Sequence, residues 1–409
     1  MSNWKLSWAI ARKILYHNDS RNARPAVLIS VIGVVLGLVV MLFAIAITGG
    51  YKKCIQDKIV GMDAHIRISK YVQNYSFEQL PFSRNQIFIN DLEANPDIVK
   101  LQYYGTKLGI IKMDNQVEGI VLKGIDTTFN QSMFQNSLVE GQLPDLTQLE
   151  ASNEIIISVK LARKLQLKTG DKVRTCFVQE SPMQRSFTIA GLFETGMPEY
   201  DNKLALVDLR HVQKLNGWDS SQVGAIELFI RDYKDIDRLG AWTHEAVGYE
   251  MRAETIKQLY PEIFEWVALF DTNVLVLLLI TIIVSAVTIL STFFIIVLEQ
   301  TRKIGLLKAL GISSRQIVTI FLMVAARILL IGIVIGNAIV LIVCFLQQHY
   351  KFIKLNPETY YVDYIPVLVN GWFFAAINFG ILAVCLAVLL FPAFIITKKM
   401  TPVEALRWE

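Results

Sequence analysis

Four blocks of this sequence are too long and too apolar to be anything other than membrane-spanning helices. They are residues 25–48, 270–298, 317–346 and 372–397. A hydrocarbon layer about 30 Å thick takes about 20 helical residues to cross. Backbone polar groups inside lipid must bond within their own segment, which makes each block a helix. Between the first two blocks lies a stretch of mixed polarity, residues 49–269, long enough to bury a core of its own. The expected fold class is a membrane protein with four transmembrane α-helices and one large α+β extracytoplasmic domain between helices 1 and 2. Composition agrees: hydrophobic residues make up 53% of the chain and charged residues only 19%, below the roughly 25% of soluble domains.

Lys and Arg near the span ends set the orientation. Residues 1–24 carry Lys5, Arg12, Lys13, Arg21 and Arg24 against Asp19. The loop 299–316 carries Arg302, Lys303, Lys308 and Arg315, and the tail 398–409 carries Lys398, Lys399 and Arg407. The loop 347–371 has only Lys351 and Lys354. Both termini and the 299–316 loop are therefore expected in the cytoplasm, with 49–269 and 347–371 outside. WKLSWAIARKIL stripes Trp4, Trp8, Ala11 and Leu15 along one helical face, as suits a helix in the headgroup region. The first span exceeds the roughly 7–15 apolar residues of a signal peptide and is expected to stay uncleaved. The net charge of +4 is small, and its clustering beside apolar blocks favours membrane orientation over nucleic-acid binding.

In the outer segment HIRIS, EGIVLKG, NEIIIS, DKVRTCFV, RSFTIAGLF, KLALVDL and AIELFIRD read as strands. VKLARKLQL and RHVQKLN read as short helices, and LKTGDKV as a turn. Four cysteines are too few for a disulfide framework. Cys344 and Cys385 fall in spans, while Cys54 and Cys176 share the outer domain, either as free thiols or bridged. There is no GxxxxGK[ST], HExxH, CxxC or GxSxG, and His17, His65, His211, His244 and His349 are scattered. Neither a nucleotide loop, a metal site nor a catalytic centre is expected, so the chain is not read as an enzyme.

The 299–316 loop carries the strongest pattern. In EQTRKIGLLKALGIS, Ile304, Leu306, Leu307 and Leu310 share about half of a helical wheel. Gly311 stands where a helix end wants left-handed φ, and Ser313 with Gln316 makes a capping box for the next helix. A short basic amphipathic helix at the tip of a hairpin suits docking into a cleft of a partner protein.

EQTRKIGLLKALGISSRQI resembles the coupling helix of the MacB/FtsX/LolC-LolE class of ABC permeases. The order of one span, a large outer domain and three spans is similar to that class throughout. ISVIGVVLGLVVMLFAIAITGGYKKCIQDKIVGMDAHIRI, GLFETGMPEYDNKLALVDLRHVQKL and the ending TPVEALRWE resemble the LolC/LolE lipoprotein-releasing branch. The resemblance implies a multi-pass protein of the bacterial inner membrane that binds no cofactor itself. Its partners would be a cytoplasmic ABC ATPase dimer carrying ATP and Mg, a second permease subunit, membrane lipid, a lipoprotein substrate and, in the LolC branch, a periplasmic lipoprotein chaperone. It assigns ATPase coupling to Glu299, Arg302, Lys303, Gly305, Leu306, Lys308, Ala309 and Gly311. It assigns lipoprotein entry to the outer halves of spans 1 and 2: Met41, Phe43, Ala44, Ile47, Phe270, Val274, Leu277 and Leu278. The position of the LolC hook is occupied by a short loop with Gln179, Pro182, Met183 and Arg185, either a minimal hook or none, which leaves a LolE-like role open. MacB-like efflux and FtsX-like signalling to a cell-wall hydrolase are the alternatives.

Gly33 and Gly37, and again Gly332 and Gly336, form GxxxG within spans, which permits close helix approach. Arg327 lies within the third span, either facing protein or water or reaching for the cytoplasmic surface. The orientation has a direct check. Single cysteines at 199 and 356 should react with a membrane-impermeant thiol reagent in intact spheroplasts, and one at 308 should not. Labelling at 308, or none at 199, reverses the topology.

Overall fold

The computed structural model describes residues 23–72, 79–113, 116–177 and 183–399. Residues 1–22 of the interfacial helix expected over 1–24, the tail from residue 400, and Gln179 and Pro182 lie outside the described residues. In chain order the elements are α1 Ala23–Asp63, β1 Ile66–Lys70, β2 Phe82–Ser83, α2 Ile87–Ala94, β3 Ile98–Met113, β4 Gln116–Ile125, α3 Gln131–Gln135, β5 Leu138–Gly141 and β6 Glu154–Ser158. Then follow α4 Val159–Leu165, β7 Lys172–Phe177, β8 Met183–Phe193, α5 Pro198–Asp201, β9 Leu204–Asp208, α6 Leu209–Asn216, β10 Gln222–Val223, β11 Ala225–Ile230, α7 Ile236–Val247, β12 Met251–Thr255 and α8 Ile256–Leu259. The chain closes with α9 Pro261–Glu299, α10 Thr301–Ala309, α11 Ser314–Tyr350, α12 Pro357–Tyr360 and α13 Gly371–Lys399.

Contacts divide the structure into two compact units. One holds Lys53–Glu265 with Leu355–Asp363; the other holds the remaining described residues. Among the described residues, four helices are long and apolar enough to span a membrane. The helices outrun the apolar blocks of the sequence: α1 is 41 residues long and α9 39.

In the helical unit, α1 packs through small residues. A Cβ placed on Gly33 would sit 2.8 Å from Thr288 Cγ2, and one on Gly37 would sit 2.6 Å from Ser285 Oγ. Gly332 and Gly336 of α11 meet Val34 and Leu38 of α1 in the same way, at 2.7 and 2.8 Å. Both GxxxG pairs therefore serve close approach of α1, one to α9 and one to α11. Leu38, Met41, Leu42, Phe293, Phe321 and Ile328 lie in the resulting core. Asn337 of α11 and Asn378 of α13 exchange side-chain amide bonds at 2.9 and 3.1 Å, which satisfies two polar groups against each other. Arg327 is half-buried on α11.

The other unit is built on a mixed ten-stranded sheet in the order β12-β1-β11-β3-β4-β9-β6-β8-β5, with β7 paired to β3 and β8. Each of the seven sequence runs read as strands overlaps a strand, and the two short helical readings match α4 and α6. The 16-residue β3 was not among the runs. Lys100, Lys107 and Lys112 break its apolar alternation, and Gly105 and Gly109 interrupt it. Those glycines serve tertiary packing: Trp218 would lie 2.8 Å from a Cβ on Gly105, and Phe177 2.8 Å from one on Gly109. All four cysteines are free, so Cys54 and Cys176 form no bridge.

Gly37→Leu should force α1 away from α9 and cost about 1–3 kcal/mol. Gly380→Leu, at a position with open space around it, should cost far less. Thermal unfolding of the two variants in detergent compares them, and equal midpoints would refute the close packing.

Candidate functional site: a buried carboxylate hub and an amphipathic hairpin helix

Within the stretch GLFETGMPEYDNKLALVDLRHVQKL, Glu199, Tyr200 and Asp201 lie in α5, and Thr195 and Gly196 lie in the turn before it. Asp201 folds that turn by accepting from Thr195 N at 3.0 Å, Thr195 Oγ1 at 2.8 Å and Gly196 N at 2.9 Å. Gly196 adopts φ +69° there, a conformation that costs glycine little. Tyr200 points inward and donates its hydroxyl to Asp63 Oδ2 at 2.9 Å. Glu199 stays exposed and accepts from the Tyr361 hydroxyl.

Asp63, the last residue of α1, is the centre of this arrangement. Arg67 lies 2.9 Å from Oδ2 and Lys123 3.4 Å from Oδ1. The Tyr260 hydroxyl also donates to Oδ2, and the two tyrosine hydroxyls lie 2.8 Å apart. Lys123 further donates to Glu227 at 2.5 Å and to Met62 O at 2.8 Å, and Gln102 donates to Glu227. Burial alone would raise the Asp63 carboxyl. Arg67 and Lys123, with the tyrosine hydroxyls, outweigh it and hold the group well below the carboxylate range. Burial pushes Glu227 up against the pull of Lys123, and drives Tyr104 up to about 12. The folded Asp63 value is depressed below the unfolded value of about 3.9. Its stabilisation is therefore present above that pH and lost as pH falls further.

A second cluster involves the stretch between the last two spans. Lys58 donates to Thr195 O at 2.9 Å and to Tyr361 O at 2.8 Å, while Lys160 pairs with Glu358 at 2.7 Å. Leu355–Asp363, which the sequence presents only as an outer loop, is thus fixed against the α5 turn.

At the hairpin, α10 is capped as its residues demand. Gly311 has φ +85°, and Ser313 and Gln316 form the capping box that opens α11. Ile304 is 1% exposed and packs inward, whereas Leu306 is 55% and Leu310 72% exposed. The apolar half-circumference is therefore split, with Ile304 serving the core and two leucines left outward. Of the expected coupling residues, Glu299 closes α9, Arg302 and Lys303 lie in α10, Gly305 is buried, Lys308 is half-buried and Ala309 is exposed. Among the expected entry residues, Met41 is wholly enclosed in the helix core. Phe43, Ala44, Ile47, Val274 and Leu278 are half-buried, and Leu277 is exposed. Phe270 packs edge-on against Tyr51, ring centroids 5.3 Å apart. Met183 and Arg185 begin β8.

Family comparison agrees with this architecture. A model of the FtsX-like permease C-terminal matches residues 275–400, and one of the MacB-like periplasmic core domain matches residues 27–242. The chain belongs to the MacB-like periplasmic core domain family and, with its FtsX-like C-terminal part, to the MacB/FtsX/LolC-LolE class of ABC permeases. It is 23% identical to the lipoprotein-releasing system transmembrane protein LolC of Neisseria meningitidis serogroup B, over 93% of this chain and 94% of that one. It is 22% identical to LolC of Haemophilus influenzae over 92% of each. LolE of the same organism is 19% identical over 92% of this chain and 93% of its own. Among solved structures, the periplasmic region of MacB from Actinobacillus actinomycetemcomitans is 14% identical with a TM-score of 0.34, covering 50% of this chain and 95% of that one.

Asp63→Ala would leave buried Lys123 and half-buried Arg67 without that carboxylate and should cost about 3–5 kcal/mol. Tyr200→Phe removes one bond among several and should cost about 1 kcal/mol. Urea unfolding of the two variants measures the difference; equal costs would show that Asp63 does not hold the site together.

Proposed function

We propose that this chain is the permease subunit of an ABC transporter that extracts lipoproteins from the inner membrane for transfer to the outer membrane. Its likeness to LolC and LolE proteins along nearly the whole of both chains is the observation that supports this most. Both termini and α10 lie in the cytoplasm in this reading. A separate ATPase dimer, which supplies ATP and Mg, docks on the outward Leu306 of α10 and on Leu310 just after it. A second permease subunit, the same or related, completes the membrane part.

Extraction is mechanical work. Burying acyl chains gains about 0.8 kcal/mol per methylene, so a triacylated anchor is held by tens of kcal/mol. That explains why a permease without a catalytic centre needs an ATPase. Lipoprotein enters laterally beside the outer halves of α1 and α9. The MacB-like core domain supports one other reading, efflux with a trans-envelope partner.

Two measurements test the proposal. A photo-crosslinking residue at 43 or 274 should capture an acylated protein before ATP is added and release it afterwards. Crosslinks only to phospholipid or to the partner permease, at every entry position, would overturn the lipoprotein reading, and a copurifying channel protein would replace it with efflux. Leu306→Asp should place a charge in the apolar docking contact and cost several kcal/mol of ATPase affinity, on the order of a buried unpaired charge. Normal retention and stimulation of the ATPase by that variant would remove α10 from the contact.

A further inference from the structure

Beside the Asp63 hub lies a cavity of about 260 Å³ inside the sheet-bearing unit. Asp63, Arg67, Tyr104, Lys123 and Tyr200 line it, with Lys203 among its more open lining residues. Most of these groups are already matched to one another. Asp63 takes bonds or ion pairs from four side chains, Lys123 is shared between Asp63 and Glu227, and Gln79 Oε1 accepts from Thr106 N at 3.0 Å. Two donors are not matched. Arg67 Nε is buried with no acceptor among the described residues. The hydroxyl of Tyr104, a residue only 4% exposed that lines the cavity, likewise has no hydrogen-bond partner among the described residues. The Lys123 ammonium lies 4.6 Å from the Tyr104 ring centroid and helps to fix that ring.

Buried donors without acceptors are uncommon in folded proteins. Both residues line the same cavity, whose lining also includes the cations Lys123 and Lys203. The lining carboxylate Asp63 is already saturated, and Glu199 is turned to Tyr361. We infer that the cavity is a binding site for a small oxyanion, a phosphate or carboxylate group, held by the Arg67 guanidinium and the Tyr104 hydroxyl. A guanidinium fork is suited to such groups. The volume falls below the roughly 300–1,000 Å³ of pockets that enclose drug-sized ligands, so the occupant is a headgroup-sized or free anion. The site does not depend on what the transporter carries.

Tyr104→Phe tests it cleanly, because the hydroxyl bonds none of the described residues and its loss should leave the ligand-free unfolding midpoint unchanged. The full chain, washed free of lipid in detergent, is titrated calorimetrically at constant ionic strength with inorganic phosphate, acetate and dihexanoyl phosphatidylglycerol. At least one should bind saturably at one per chain, and Tyr104→Phe should weaken it about tenfold. Arg67→Lys, which keeps a cation beside Asp63 but loses the fork, should weaken it as well. Binding of phosphate or acetate identifies a free anion, and binding of the phosphatidylglycerol alone identifies a lipid headgroup. Absence of saturable binding for all three, or equal binding by wild type and Tyr104→Phe, means the cavity holds water only and overturns the inference.

Discussion

An ionised carboxylate shut away from water stays where its donors are, and the donors to Asp63 come from four separate stretches of chain. Arg67 arrives on β1, Lys123 on β4, Tyr200 on α5 and Tyr260 from the residue before α9. The chain enters this unit along α1 and leaves it at α9, and both passages are tied to the same two oxygens. The turn that follows is made by Ala64 at φ +56°, a left-handed conformation that costs a residue with a Cβ about 1–2 kcal/mol. Bonds that converge on the preceding residue offset that strain.

The helical unit rests on contact of a different kind. Lipid supplies no hydrophobic drive for helices to associate, so they hold together by close fit and by matched polar groups. Here α1 is the shared element, with glycines of its own turned to α9 and glycines of α11 turned to it. At its Gly50 a Cβ would lie 2.5 Å from the Pro366 carbonyl oxygen, and Leu368 N donates to Ala46 O at 2.8 Å. The backbone returning from α12 towards α13 therefore lies directly on α1, where a side chain would not fit.

What the sequence made legible was local. Spans follow from composition and length, and Gly311, Ser313 and Gln316 act within one turn of helix. The hub was not legible, because it depends on register. Lys123 and Glu227 each look like an isolated charge in an apolar strand, and nothing local shows that β4 and β11 flank β3. The register that places Glu227 opposite both Arg67 and Gln102 exists only in the assembled sheet. Long β3 went unread because its glycines accommodate Trp218 and Phe177, distant in sequence, at the expense of its own alternation. The division of α10 was equally hidden, since a helical wheel groups Ile304 with Leu306 and Leu310 but cannot say which of them the neighbouring helices enclose.

That division has a consequence for the cell. The nine-residue helix α10 carries Leu306, and Leu310 follows it, two leucines that the other described residues leave exposed. If the ATPase proposed above docks there, the pair would be sheltered in the complex and exposed in a copy made in excess of its partner. Exposed apolar side chains of that kind are what quality-control proteases and chaperones bind. On that proposal, balanced synthesis of the two subunits would be enforced by the surface of the permease itself, since an orphaned subunit would present the same residues that would have joined it to its motor.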